Sequence, residues 1–130
     1  MNTVLNNQQF SRAEINSAAL EAFFNITELW KLTTTQKQIL LGLDSNSSTY
    51  FKWQKEKSGI LSKDHLDRIS YVLGIYKALK IIFTNDDQAH AWIKKPNIAL
   101  NSQSALDVML QGKITDLAIV RGYLDAQRSW

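Results

Sequence analysis

The chain has 130 residues, 45% of them hydrophobic and 21% charged, with 15 Lys and Arg against 12 Asp and Glu for a net charge of +3. That length carries one real core or two very small ones sharing an interface, and the composition lies well away from the low-hydrophobicity, high-charge corner where chains stay disordered. Cysteine is absent, which excludes a disulfide framework and a thiolate metal site and fits a reducing compartment.

The opening MNTVLNNQQF has no basic n-region, no apolar h-region and no small-residue cleavage site, so it does not read as a secretory signal. No apolar run approaches the ~20 residues of a membrane span; the best stretch, residues 71–83, is broken by Lys77 and Lys80. A cytoplasmic protein with no membrane partner is expected. One proline and five glycines leave long stretches of helical spacing and no alternating β-branched runs. The expected fold class is all-α, an N-terminal helix-turn-helix-like helical region packed with a C-terminal multi-helix region.

In chain order, the first helix begins at Ser11, because Ser11 and Glu14 form an S-x-x-E capping box. Leu20, Phe23, Phe24, Leu29 and Trp30 make its apolar side. A second helix runs from Thr34 or Thr35 to Leu41 with Gly42 as a left-handed C-terminal cap, and a third covers residues 47–57 with Tyr50, Phe51 and Trp53 as apolar members. Ser58-Gly59 resists helix continuation, which places a boundary between residues 1–58 and 59–130. Ser62 caps a long fourth helix in which Leu66, Ile69, Val72, Leu73, Tyr76, Leu79, Ile82 and Phe83 recur at three- and four-residue steps. A fifth helix starts in the cluster 84–87 and runs through Trp92 and Ile93 to Pro96-Asn97. Ser104 with Asp107 opens a sixth that ends at Gly112, and Thr115 opens a seventh running nearly to Trp130.

Two short helices joined by a glycine-containing turn, the second beginning in small polar residues, have the arrangement of a helix-turn-helix. Charge supports this placement: residues 1–30 carry Arg12 against Glu14, Glu21 and Glu28, whereas residues 31–68 carry seven cations against four acids. In that geometry Asn46, Ser47, Ser48 and Lys52 face a major groove, Lys55 and Lys57 lie near phosphates, and Gln36 and Lys37 reach the backbone. The third helix has no arginine, so the commonest bidentate guanine contact is missing from it. A helix pair with a glycine turn and three lysines also describes many plain helical bundles.

An enzyme is not expected. His65 and His90 fall in no H-x-x-x-H or H-E-x-x-H arrangement, and there is no G-x-x-x-x-G-K-[ST], G-x-G-x-x-G or G-x-S-x-G. No catalytic residue, metal ligand or cofactor is assigned. Arg121, Asp125, Arg128 and Trp130 lie at the chain end, where a terminus frays unless tied down, and arginine beside an aromatic is enriched at interface hot spots. These four are the candidate protein-binding residues, with packing on a dimer partner as the other reading.

Gly74-Ile75-Tyr76-Lys77-Ala78-Leu79, Ala91-Trp92-Ile93-Lys94-Lys95-Pro96-Asn97, Ser104-Ala105-Leu106-Asp107-Val108-Met109-Leu110-Gln111-Gly112, and Asp116-Leu117 with Val120-Arg121-Gly122-Tyr123-Leu124-Asp125-Ala126 follow one another in order. In this order and spacing they resemble the toxin-binding domain of Xre/MbcA/ParS-type antitoxins. Leu41-Gly42-Leu43 and Ser48-Thr49-Tyr50-Phe51-Lys52-Trp53 are similar to the Xre-like helix-turn-helix of the same proteins. The resemblance implies a type II toxin-antitoxin pair whose usual toxin has a RES domain and consumes NAD. It further implies a homodimer that covers the toxin's active-site entrance, with operator DNA as a possible second partner for autoregulation. A free-standing helix-turn-helix regulator whose second half only dimerises is the alternative. The family pattern often has Gly-Gly before the serine where this chain reads Asn101-Ser102-Gln103; asparagine is the next best residue for a left-handed turn.

Overall fold

A computed structural model of the chain describes residues 9–128. In chain order it contains α1 (Arg12–Leu29), α2 (Thr34–Leu41), α3 (Ser48–Glu56), α4 (Lys63–Ile82), α5 (Asp86–Ala91), α6 (Ala105–Met109) and α7 (Ile114–Gln127). Single 3₁₀ turns lie at Trp92–Lys94 and Ile98–Leu100, and a minimal antiparallel pair joins β1 (Pro96–Asn97) to β2 (Gln103–Ser104). The fold class is therefore all-α, with two-residue strands closing one loop.

Local signals set most helix starts. Ser11 and Glu14 exchange hydrogen bonds at 2.9 and 3.1 Å, Thr33 and Gln36 do the same at 2.9 and 3.2 Å, and Ser104 and Asp107 at 3.3 and 3.0 Å. These boxes satisfy N–H groups that the first turn leaves free. Ser47 precedes α3 without a side-chain cap bond. Helix α7 starts one residue before Thr115, because the buried Asp116 carboxylate accepts from the Lys113 N–H at 3.0 Å and makes Lys113 the cap.

Three segments differ from the spacing-based expectation. The fifth helix stops at Ala91 and tightens into a 3₁₀ turn, since Lys95 must be extended (ψ 138°) ahead of Pro96. The sixth stops at Met109, its last amides closing shorter bonds from Gln111 to Val108 and from Gly112 to Met109. In the loop between the strands Asn101 and Ser102 both take left-handed φ, 59° and 65°, so a residue other than asparagine also sustains that turn.

One hydrophobic cluster runs through both halves of the chain. Helix α4 is its axis: Ile69, Val72, Ile75, Ala78 and Leu79 are buried, and the helix packs most extensively on α7 and next on α1. From α1 come Leu20, Phe23, Phe24 and Ile26, with its C-cap Trp30, and from α7 Leu117, Val120 and Leu124. Trp92 stacks on Tyr123 (centroids 6.1 Å apart, planes 11° apart) and ties the 3₁₀ turn to α7. Two residues expected in the core are outside it: Leu29 is 45% exposed and Phe51 54%. Tyr50 and Trp53 already cover the buried side of α3, and with about 100° per residue Phe51 falls on the other side.

His65 closes the N-terminus of α4. Its Nδ1 accepts from the Ser62 N–H at 3.2 Å while the His65 backbone N–H donates to Ser62 Oγ at 3.2 Å, and its ring meets Trp53 edge-on at 5.0 Å. Burial pushes its pKa below 6.5, with Asp64 acting in the opposite direction. The folded chain thus binds this proton less readily than the unfolded chain, so the stabilisation is fully present above pH 6.5 and is lost as pH falls through the depressed folded value. Urea unfolding between pH 7 and pH 5 should show stability falling with pH, and His65→Gln should flatten that window while leaving the carboxylate-driven loss at lower pH. Ile75→Ala, at a fully buried position on α4, should lower unfolding free energy by about 3 kcal/mol through lost burial and the cavity left behind.

Candidate functional site

Helices α2 and α3 form a helix-turn-helix. Gly42 ends α2 at φ 74°, Leu43 N–H donates to Gln38 O at 2.9 Å, and the buried Gln38 side chain donates to Ser45 O at 3.3 Å. Over the turn lies Arg68 of α4: a Cβ built on Gly42 would sit 2.8 Å from Arg68 Nε, which itself donates to Asp64 at 2.9 Å. Nothing in the spacing of the sequence singled out Arg68; its role depends on α4 crossing the turn.

The candidate groove-facing residues divide into two groups. Asn46 in the turn and Ser48, Lys52 and Lys55 on α3 are exposed, and Ser47 is half-buried. Gln36 is half-buried and engaged in the α2 capping box. Lys37 is apart from this face: it is buried at 8% exposure and its Nζ donates to Glu28 Oε2 of α1 at 2.8 Å. That ammonium holds the Glu28 carboxyl below the ordinary carboxylate range, first through the hydrogen bond and then through its charge. Lys57 also folds inward, its ammonium 5.3 Å above the Phe24 ring and bonded to the Gln54 carbonyl, while its own carbonyl accepts from Ser17 Oγ at 2.8 Å. Ser48, Phe51, Lys52 and Lys55 therefore share one exposed stripe of α3, with Thr49, Gln54 and Glu56 exposed beside it and Asp44 exposed in the preceding turn.

In the second half, Arg121 and Asp125 of α7 come together with its C-cap Arg128. Arg121 Nε lies 3.1 Å from both Asp125 oxygens, and Arg128 Nη1 lies 4.0 Å from Asp125 Oδ1. Arg121 rests on α4 at Gly74, where an added Cβ would be 1.5 Å from Arg121 Nη1; only a residue without a side chain lets the guanidinium lie there. Arg121 borders a groove of about 410 Å³ with Asp67, Tyr71 and Ala118, and Arg128 borders one of about 270 Å³ with Ile81 and Ile82. Ile81, 61% exposed, lies beside Arg128 in the second groove, whereas Ile119, 53% exposed, borders a different groove with Leu100 and Val108. Trp130 lies outside the described residues. His65 serves as a cap and His90 stacks on Tyr76 (6.1 Å, 17°), so the two histidines occupy separate structural positions.

Residues 9–74 match the family model for the antitoxin Xre-like helix-turn-helix domain, and residues 78–129 match that for the antitoxin Xre/MbcA/ParS C-terminal toxin-binding domain. The two matches meet inside α4. Uncharacterized protein y4oB of Sinorhizobium fredii (strain NBRC 101917 / NGR234) is 48% identical over 111 residues, which cover 85% of this chain and 84% of that protein. Among the described residues no helix is long and apolar enough to cross a membrane.

Proposed function

Because the chain belongs to the Xre/MbcA/ParS antitoxin family, we propose that it silences a RES-domain, NAD-consuming toxin by seating the end of α7 in the toxin's cleft, and that it represses its own operon through α3. The matched domains are regulatory rather than catalytic. The observation that carries the reading is the tandem match, a helix-turn-helix followed directly by a toxin-binding domain across residues 9–129.

Occlusion asks little chemistry of the antitoxin. A segment that fills the cleft excludes substrate by volume, and arginine with aromatic residues supplies the desolvated anchors that dominate such interfaces. The Arg121–Asp125–Arg128 cluster runs along the last two turns of α7 to its C-cap, which supports this reading, and Trp130 follows two positions later in the sequence. Exposed Ile81 and Ile119 supply apolar surface for pairing as a homodimer. A dimer presents two α3 helices to half-sites about one helical turn, ~34 Å, apart, with Lys52 and Lys55 neutralising phosphates.

Co-expression with the toxin encoded beside it tests the reading. A stable complex, restored growth and preserved NAD are expected; tight binding to DNA with no captured neighbour identifies a free-standing regulator instead. Arg121→Ala should cost about 2 kcal/mol of toxin affinity, roughly thirtyfold. Gly74→Ala should produce a similar loss by displacing the guanidinium, while its thermal stability stays within about 1 kcal/mol of the native chain, since the alanine gains helix propensity as a part-exposed ion pair loosens. Toxin affinity unchanged in both variants would take α7 out of the interface.

A further inference from the structure

On α3, whose buried side is Tyr50 and Trp53, the outward side carries two exposed lysines and, between them and the helix start, an aromatic ring. Phe51 is 54% exposed, yet its ring is held in place. It meets Tyr50 edge-on at 5.2 Å and 85°, and Tyr50, only 2% exposed, meets Phe24 of α1 at 5.8 Å. The core thus holds a large apolar group next to the two lysines on the exposed stripe of α3. Removing the exposed part of this ring from water is favourable.

We infer that Phe51 reads sequence in the operator, packing on the C5-methyl group of a thymine in the major groove; this rests on the operator-binding reading above. The occupant follows from charge and shape. Lys52 and Lys55 lie beside the ring on its C-terminal side, and α3 is free of arginine, so the usual bidentate guanine contact is missing from this helix. In the major groove the thymine methyl is the apolar group that a phenyl ring can meet. Phosphate contacts from the lysines fix the register of the helix but carry no sequence information, so discrimination falls to the base-facing residues, Phe51 among them.

The test selects duplexes from a random pool with the full-length protein and then replaces each selected thymine by deoxyuridine, which removes only the methyl. At one position per half-site the native protein should bind about fourfold more weakly, the worth of one buried methyl-sized group. Phe51→Ala should bind the thymine duplex at least as weakly and become indifferent to the replacement, Phe51→Leu should keep part of the discrimination, and Lys52→Ala should weaken both duplexes equally with a shallower salt dependence. Circular dichroism of the variants confirms the fold. Discrimination that survives in Phe51→Ala overturns the inference while leaving operator binding intact. Failure to enrich any duplex overturns both. Native DNA binding by Phe51→Ala with loss of toxin capture places the ring in a protein interface and overturns the inference.

Discussion

The burial of α4 between α1 and α7 is the interaction on which the rest of the molecule depends. Ile69, Val72, Ile75, Ala78 and Leu79 are covered by Leu20, Phe23 and Phe24 from one side of the chain and by Leu117, Val120 and Leu124 from the other. Each such side chain contributes on the order of 2 kcal/mol when removed from water. A chain of 130 residues has few of these to distribute, and two separate cores would each be marginal. Sharing one helix lets a helix-turn-helix and a toxin-binding domain both be firm at this length.

From this sharing follows a fixed relation between the two faces. Arg68 on α4 lies over the turn of the helix-turn-helix, and Gly74, six residues along the same helix, receives Arg121 of α7. The face of α3 and the ion cluster of α7 are thereby held by one rigid element, at different points along it. The surfaces proposed for toxin binding and for DNA binding lie on separate helices of the same core, so the two proposed activities draw on different side chains.

Much of this was legible in the residues. Ser11 with Glu14, Ser62, and Ser104 with Asp107 mark helix starts through bonds made within four residues, and Gly42 marks the turn through its own backbone; such signals are local and survive without knowledge of the fold. The three- and four-residue spacing of 66–83 revealed the axis of the core for the same reason. What could not be read depends on contacts between elements. Lys37 is buried because Glu28, on the preceding helix, supplies the charge it needs, although its position three and four residues before Leu40 and Leu41 was a hint of an inward side. Phe51 reads as a core residue from its aromatic side chain alone, whereas Tyr50 and Trp53 occupy the buried side of α3. The placement of Arg121 on Gly74, 47 positions earlier, needs α4 and α7 to pack together, and no spacing within either reveals it.

The division of labour between the two faces is tested most directly by amide hydrogen exchange on the full chain, free, with its toxin and with its operator. Slowed exchange in α7 and the segments beside it on adding toxin, with α3 exchanging as in the free protein, and the converse on adding operator, are the expected results. Toxin that slows exchange in α3 while leaving α7 unchanged would contradict the assignment of these surfaces.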